Sequence, residues 1–379
     1  MQTAMLTFAT ILFLYPFAIY PALMWLFARR RTGNDESNTT ASEPAPYVAM
    51  VICALNEQKI ISRKMENCLA LRYPKEKLKI VVVSDGSTDK TAELVRGYES
   101  SGIELIEREA RRGKVANLNE VLSSRREEIM VLSDANVLYD PDAVSRLVSR
   151  FRDASVGCVS GKVILTDSAP ELDDPTSSYY SLEWLLQEKS SAIYSMVGAD
   201  GAMYALRREL FRPCPNDTVI EDFIIPMSVI RQGKRTVFEP EAIAWEQGPA
   251  SLGEEFRRKV RISAGCMQGL LRGNAWPMGA PARFWFIFLS HKLLRWLSPA
   301  IGLMILVLSS LTREQLFSQA VMAGFVLMSS LAVLRLLTGW RHPLVSAPFY
   351  FLFGQVALGW GMLKGLSGRQ TVLWAKADR

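Results

Sequence analysis

The stretch Ile129-Met130-Val131-Leu132-Ser133-Asp134-Ala135-Asn136 joins an apolar run to a short acidic turn. A run of this length that ends in polar residues is typical of a buried β-strand. A carboxylate at the C-terminal end of such a strand can hold a divalent cation against a phosphorylated ligand, because Mg²⁺ and Mn²⁺ prefer oxygen ligands. Asp134 is therefore a candidate metal ligand. Asn136 is a weaker one, because it is neutral and supplies only a carbonyl oxygen.

Three similar apolar runs precede this strand, and segments of helical length separate them. The runs cover residues 47–54, 79–84 and 103–108, and the segments cover residues 58–70, 90–100 and 114–124. This alternation predicts an α/β fold with a doubly wound, mostly parallel sheet. Ligand sites in such sheets lie at the C-terminal ends of the strands.

Polar motifs stand at those strand ends and just beyond the sheet. They are Ala54-Leu55-Asn56-Glu57, Ser84-Asp85-Gly86-Ser87-Thr88-Asp89, Arg112-Gly113-Lys114 and Ile220-Glu221-Asp222. Neither the G-x-G-x-x-G turn of a dinucleotide-binding domain nor the Walker A spacing is present. Without a glycine-rich cradle, bound phosphates must be neutralised by a cation and by side chains, as in a nucleotide-sugar transferase.

In this order and on these elements, the motifs resemble those of the membrane-bound family 2 glycosyltransferases. The resemblance extends from about Tyr47 through the C-terminal apolar runs. It implies a GT-A-like domain, a nucleotide-diphosphate-sugar donor with UDP as the nucleotide, and Mg²⁺ or Mn²⁺ as the cofactor. It also implies inversion at the anomeric carbon, with basic side chains and the metal holding the diphosphate.

The resemblance assigns donor-binding roles to eight positions, which are Ala54, Asn56, Glu57, Asp85, Lys114, Asp134, Arg258 and Arg261. Asp85 would accept hydrogen bonds from the uracil or ribose, and Lys114 would stand beside the pyrophosphate. Alternatively, Asp85 belongs to a turn with a helix cap, and Lys114 only begins a helix.

The adjacent acids Glu221 and Asp222 have apolar residues on both sides, which predicts partial burial and a raised carboxylate pKa. In the family, the aspartate of the matching pair is the catalytic base, and that role falls on Asp222. Asp200, Gly201 and Glu221 are expected on the acceptor side. A helix-starting acid pair and a plain glycine turn are the alternatives.

Ser251 and Glu254 form a capping box that begins a helix running to about Leu271. An apolar stripe predicts that this helix lies at a membrane surface; it comprises Leu252, Phe256, Val260, Met267 and Leu270. Processive synthases of the family carry Q-x-x-R-W near here, whereas this chain reads Arg258-Lys259-Val260-Arg261-Ile262. Arg261 keeps the basic position, and the missing Trp favours addition of one or a few sugars.

Long apolar stretches flank the charged central part of the chain. Residues 5–27 carry no charge and are followed by Arg29-Arg30-Arg31, which predicts an N-terminal span with the central domain in the cytoplasm. Further runs cover residues 298–311, 316–337 and 347–363. The predicted organisation is an anchor at 1–31, a linker at 32–46, the GT-A domain at 47–250, the interfacial helix region at 251–281 and a membrane region at 282–379. Three C-terminal spans would leave a basic tail outside, so either one run is re-entrant or the tail is tolerated.

Composition excludes several other classes of protein. Lys and Arg exceed Asp and Glu by 44 to 38, but no basic run interleaved with aromatics indicates nucleic-acid binding. The five cysteines lack C-x-x-C spacing, which argues against zinc and disulfides and favours a reducing compartment. Both histidines, His291 and His342, lie in the apolar C-terminal part, so a histidine base in the central domain is excluded.

We therefore predict a multi-pass inner-membrane enzyme that adds one or a few sugars to a lipid-linked or glycan acceptor at the cytoplasmic face, in exopolysaccharide or envelope-glycan assembly. Membrane lipid and a polysaccharide assembly complex are the expected further partners. The first alternative is a processive synthase that uses other aromatics, such as Trp245 or Trp276. A sugar-phosphate nucleotidyltransferase and a non-catalytic assembly protein are the others. Neither the sugar nor the acceptor follows from the sequence.

Overall fold

The computed structural model describes residues 2–29, 44–166 and 178–368. Most of the predicted linker, with Arg30, Arg31 and the basic C-terminal tail, lies outside these residues.

The strands are β1 Val48–Ala54, β2 Leu78–Asp85, β3 Ile103–Arg108, β4 Ile129–Asp134, β5 Val137–Tyr139, β6 Val156–Thr166, β7 Met203–Arg207 and β8 Arg235–Gln247. The helices are α1 Gln2–Leu14, α2 Tyr20–Arg29, α3 Ile61–Leu69, α4 Thr91–Arg96, α5 Lys114–Ser124, α6 Ala143–Ser149, α7 Ser178–Ile193, α8 Glu221–Arg231, α9 Leu252–Leu271, α10 Ala282–Ile287, α11 Leu294–Leu311, α12 Leu316–Thr338 and α13 Pro343–Leu366. Short π-helical segments join α1 to α2 and α10 to α11.

All eight strands form one mixed sheet in the order β3-β2-β1-β4-β7-β6-β8-β5. The first four are mutually parallel, β7 runs antiparallel to β4 and β6, and β8 runs parallel to β6. The four predicted strands are confirmed, and so is the prediction of a parallel-dominated α/β fold. Because β1 and β4 are parallel and adjacent, Cys53 pairs with Asp134, and the polar ends of both strands meet at one edge.

The central strands are apolar along their length because helices cover both faces of the sheet. Residues of β1 alternate between two cores, with Met50 and Ile52 packing towards α3 and Ala49 and Val51 packing towards α5. Helices α8 and α9 extend the second core. Because helices pack on both faces, the ends of β1, β2 and β4 keep fixed positions relative to one another. A polar site at that edge of the sheet requires such fixed positions.

Four helices are long and apolar enough to cross a membrane, and they cover Gln2–Leu26, Ala282–Leu311, Leu316–Thr338 and Pro343–Leu366. The chain is therefore a membrane protein with one such helix before the central domain and three after it.

Helix α9 packs directly on the last of these helices. A Cβ atom at Gly361 would lie 2.5 Å from the Val260 carbonyl oxygen, and one at Gly365 would lie 2.6 Å from the Met267 Cβ. The Ser263 hydroxyl donates to the Leu358 carbonyl at 2.7 Å. Part of the predicted apolar stripe thus contacts α13. The Ser251 cap is present, since its hydroxyl accepts from the Glu254 amide at 3.1 Å.

Candidate active site

The loops that follow β1 and β2 are joined by hydrogen bonds. Asn56 has a left-handed backbone with φ 55°, and its side-chain oxygen accepts from the Thr88 amide at 2.8 Å. The Asn56 amide donates to the Ser87 hydroxyl at 3.1 Å, and the Glu57 amide donates to the Thr91 hydroxyl at 2.7 Å. Asparagine suits this place because its short amide tolerates a positive φ and caps the neighbouring turn. The two loops form one wall of the site.

Asp85 is 5% exposed, and its carboxylate accepts three hydrogen bonds from the chain itself. The donors are the Arg112 amide at 2.7 Å, the Gly113 amide at 2.8 Å and the Asn117 side chain at 2.7 Å. Asp85 thus orders the turn that begins α5, whatever further contact it makes with a nucleoside. The same turn passes over Gly86, where a Cβ atom would lie 2.6 Å from the Arg111 nitrogen.

Lys114, the first residue of α5, joins the two halves of the site. Its ammonium lies 2.7 Å from Asp134 Oδ1 and 2.7 Å from Glu221 Oε1. Burial lowers the pKa of Lys114, but the charges of Asp134 and Glu221 outweigh it and raise that pKa well above the usual value. The lysine is therefore charged, as binding of a diphosphate requires.

The acidic turn after β4 carries the candidate metal ligands. Lys114 contacts one oxygen of Asp134, while the Asn136 amide group donates to Glu246 Oε1 at 3.1 Å. Among the residues that the structure describes, no group of three or more His, Cys, Asp or Glu side chains is arranged to hold a metal ion. This donor set fits Mg²⁺ or Mn²⁺ bound as a diphosphate complex, because such ions need only one or two protein carboxylates when phosphate oxygens and water complete the shell.

Glu221 and Asp222 begin α8, facing the loop that contains Gly201. A Cβ atom at Gly201 would lie 2.7 Å from Asp222 Oδ2, so only glycine permits this approach. The Ala199 amide donates to the Asp222 carbonyl at 2.9 Å. Burial and the adjacent Glu221 raise the pKa of Asp222 to about 7, against the opposing charges of Lys114 and Arg261. A carboxyl group with this pKa can take a proton from a sugar hydroxyl near neutral pH.

Asp200 lies in the same loop and is the second carboxyl group with a strongly raised pKa. Its amide donates to the Ser160 hydroxyl at 2.9 Å. Burial raises the Asp200 pKa to about 6, with the Ala202 amide opposing and the charges of Glu246 and Asp134 adding to the rise. The charge of Asp200 in turn adds to the rise of the Asp222 pKa.

Two arginines of α9 lie close enough to this acidic cluster to affect its carboxyl groups. Arg261 donates to the Val219 carbonyl at 3.4 Å, and its charge lowers the Asp222 pKa. Arg258 pairs with Glu255, Nε to Oε2 at 2.8 Å, and its charge lowers the Asp200 pKa. Both guanidinium groups thus act on the carboxylates around which donor and acceptor would meet.

The structure brings most of the predicted site residues to one edge of the sheet. Lys114 contacts both Asp134 and Glu221, and Asp222 follows Glu221 in the chain. Asp85 accepts from the Gly113 amide and so fixes the residue before Lys114. Sequence analysis missed Glu246, Asn117 and Lys64. Glu246 lies within a long strand, and Asn117 and Lys64 lie inside helices, where such residues are usually on the surface. Only the i, i+3 spacing of Asn117 from Lys114 could have indicated a common face.

The described residues thus combine a parallel-dominated sheet, acidic and basic groups at its strand ends, and helices long and apolar enough to cross a membrane. Residues 44–265 match the family model described as glycosyltransferase-like family 2. This match covers more than half of the chain, and the chain belongs to that family. It is therefore an enzyme of the glycosyltransferase class.

Similar proteins include two polymer synthases and one solved structure. The poly-β-1,6-N-acetyl-D-glucosamine synthase of Staphylococcus aureus is 25% identical over 280 residues, covering 70% of this chain and 67% of that protein. The synthase of the same name from Staphylococcus epidermidis is 23% identical over 236 residues, covering 61% and 57%. A mannosyltransferase from Pyrobaculum calidifontis, solved with GDP-mannose and Mn²⁺, is 22% identical and superposes with a TM-score of 0.75, covering 98% of this chain and 100% of that chain. This superposition shows the fold.

Proposed function

We propose that the enzyme transfers one sugar, or a few, from a nucleotide-diphosphate sugar to a lipid-linked acceptor at the cytoplasmic face of the plasma membrane. The single observation that carries this proposal is the Lys114 ammonium held between Asp134 and Glu221, 2.7 Å from each. The Lys114 ammonium, which would bind the diphosphate of the donor, thus lies beside the candidate base Asp222. Donor and acceptor chemistry would therefore meet at this group of charged residues.

In this reaction Asp222 accepts the proton of the acceptor hydroxyl as the hydroxyl oxygen attacks the anomeric carbon. The bond from that carbon to the diphosphate oxygen breaks on the opposite face, so the configuration inverts. Lys114, Arg258 and Arg261 stabilise the negative charge that develops on the departing diphosphate. Because residue 201 is glycine, the loop that contains it can approach Asp222 closely. An acceptor hydroxyl bound at this loop would then reach the Asp222 carboxylate.

Asp134 would hold a bound Mg²⁺ or Mn²⁺, with the carbonyl oxygen of Asn136 as a second, neutral ligand. The ion would supply Lewis-acid stabilisation of the diphosphate. Mn²⁺ accompanies GDP-mannose in the solved Pyrobaculum enzyme, which supports a divalent cation here.

The acceptor is proposed from the position of the site relative to the membrane helices. Helix α9 carries Arg258 and Arg261, and it packs on α13 through Gly361 and Gly365. A lipid-linked acceptor could therefore reach Asp222 while its lipid stays in the bilayer. Exopolysaccharide or envelope-glycan assembly is the process that such an acceptor serves, and the named activity of the staphylococcal relatives supports this context.

The test is a panel of UDP- and GDP-sugars offered to the purified full-length enzyme, with release of the nucleoside diphosphate as the readout. We expect release with one nucleotide class, and stronger release when lipid-linked acceptor is present. No release with any donor would contradict the proposal.

A processive synthase is the second candidate, because the staphylococcal relatives are named as polymer synthases. Of the two aromatics proposed for such a role, Trp245 is 37% exposed. Trp276 stacks on Trp285 with ring centroids 6.2 Å apart, and its indole donates to the Leu270 carbonyl. Sizing the radiolabelled product in native membranes separates the two candidates, since long polymer without added acceptor would favour the synthase.

A further inference from the structure

Lys64 is a lysine with no exposed surface, and it lies behind the acidic turn of the candidate active site. Its ammonium donates to the Ser133 hydroxyl at 2.8 Å and to the Val137 carbonyl. These two acceptors stand immediately before and after the segment Asp134 to Asn136. The ammonium also lies 4.4 Å from the centre of the Tyr139 ring.

The groups around the Lys64 nitrogen can receive the N–H donors of an ammonium. An ammonium has three N–H donors, and here a hydroxyl, a carbonyl and an aromatic face are present to receive them. Burial lowers the pKa of Lys64 below its usual value, and the neighbouring Cys68 and the negative charge of Asp134 oppose that effect only in part. Lys64 makes no ion pair with a carboxylate of the described residues. A buried cation without such a pair is costly, so a compensating role is expected.

A neutral residue of the same helix already fixes the geometry nearby. Asn67, one turn after Lys64 on α3, donates to the Tyr139 carbonyl at 2.8 Å and accepts from the Tyr139 amide at 2.8 Å. Helix α3 begins directly after the loop that follows β1, where the Ile61 amide donates to the Glu57 carbonyl at 2.9 Å. Hydrogen bonds alone could therefore hold the turn, and what Lys64 adds is positive charge.

We propose that Lys64 is a positioning residue whose buried charge biases the Asp134 turn towards the anionic diphosphate and against tight binding of a free divalent cation. The turn has one carboxylate, because Asn136 is neutral, and the charge of Lys64 adds to that of Lys114 in offsetting it. Divalent metal would then bind mainly together with the diphosphate. This inference rests on the proposed donor site.

The experiment replaces Lys64 in the full-length enzyme and measures two affinities without turnover. Mn²⁺ binding is followed by electron paramagnetic resonance without nucleotide, and binding of UDP and GDP is followed by calorimetry in chelator. For Lys64→Gln we expect Mn²⁺ to bind about threefold to tenfold more tightly and the nucleoside diphosphate to bind more weakly by a similar factor, because one positive charge is lost. Lys64→Met removes the same charge with an apolar side chain and should give the same pattern if the glutamine variant does not fold.

Asn67→Ala is the matched control, because it loosens the same segment without changing charge. This variant should weaken the binding of both Mn²⁺ and the nucleoside diphosphate, or of neither. Parallel weakening in both Lys64 variants would show a merely structural role and overturn the proposal, as would unchanged affinities. If the unaltered enzyme binds neither UDP nor GDP even when Mn²⁺ is present, the proposed function fails separately, and the Mn²⁺ measurement still decides the role of Lys64.

Discussion

Replacing Asp222 with asparagine keeps the size of the side chain but removes the proton acceptor. We expect Asp222→Asn to lower turnover by roughly 10²-fold or more while leaving donor affinity nearly intact, because the base acts on the acceptor. Nucleotide-sugar binding and single-turnover rates measure the two effects. Collapse of binding with high residual turnover would make Glu221 the better candidate for the base.

The pH dependence of the reaction should report the coupling between Glu221 and Asp222. Asp222 is active when deprotonated, so kcat/KM for the acceptor should rise as the pH passes through about 7. Glu221→Gln removes one of the charges that raise this pKa, and the acidic limb should move to lower pH by about one unit.

Glu246→Gln is the control for this profile, because Glu246 raises the pKa of Asp200 and is not among the main groups that shift the pKa of Asp222. The limb should stay in place in this variant. An equal displacement in both variants would mean that the profile follows another group.

At the metal turn, Asp134→Ala should abolish transfer and weaken metal-dependent donor binding, since it removes the only carboxylate of the turn. Asn136→Asp should be tolerated or should improve metal affinity, because it adds a second carboxylate. Titration of activity with Mn²⁺ measures both effects. Full activity of Asp134→Ala in chelator would rule out the metal assignment.

At the scale of elements, the contact between α9 and α13 should govern donor binding through the arginines of α9. A methyl group at Gly361 has no room beside Val260 and Ser263, so Gly361→Ala must shift α9 and with it Arg258 and Arg261. We expect the KM for the donor to rise by about threefold or more, with a smaller change in kcat, because moving Arg258 and Arg261 disturbs their orientation towards the diphosphate.

Gly354→Ala provides the control on the same helix, because no atom lies within 4 Å of a Cβ atom placed there. Its kinetics should match those of the unaltered enzyme. A similar rise in the KM in both variants would point to a general effect on α13.

The same scale shows what could be predicted from sequence. Residues 103–108 and 114–124 were predicted with the bounds that the structure has, because apolar periodicity and strand-end polar residues are local signals. The long strands β6 and β8 were not, since each belongs to a mixed part of the sheet whose pairing depends on distant residues. Lys64 is the same kind of failure, because a lysine within a helix is usually exposed and only tertiary contacts show it buried.

At the scale of the whole molecule, one helix long and apolar enough to cross a membrane precedes the central domain and three such helices follow it. If all four cross, both termini lie on the side opposite the domain. With the domain in the cytoplasm, as the N-terminal arginines predict, a fluorescent protein fused to the C-terminus should be dark and an alkaline phosphatase fusion active. A fluorescent C-terminal fusion would mean that one of the three last helices does not cross.

The bridge made by Lys114 also has a kinetic consequence. In the free enzyme the Lys114 ammonium lies 2.7 Å from both Asp134 and Glu221 and links them. When the donor binds, its diphosphate would draw Lys114 away from Glu221, which is next to the base Asp222. The acceptor site would therefore be complete only after the donor has bound. We therefore expect compulsory-order addition, in which the nucleoside diphosphate inhibits competitively against the donor and non-competitively against the acceptor.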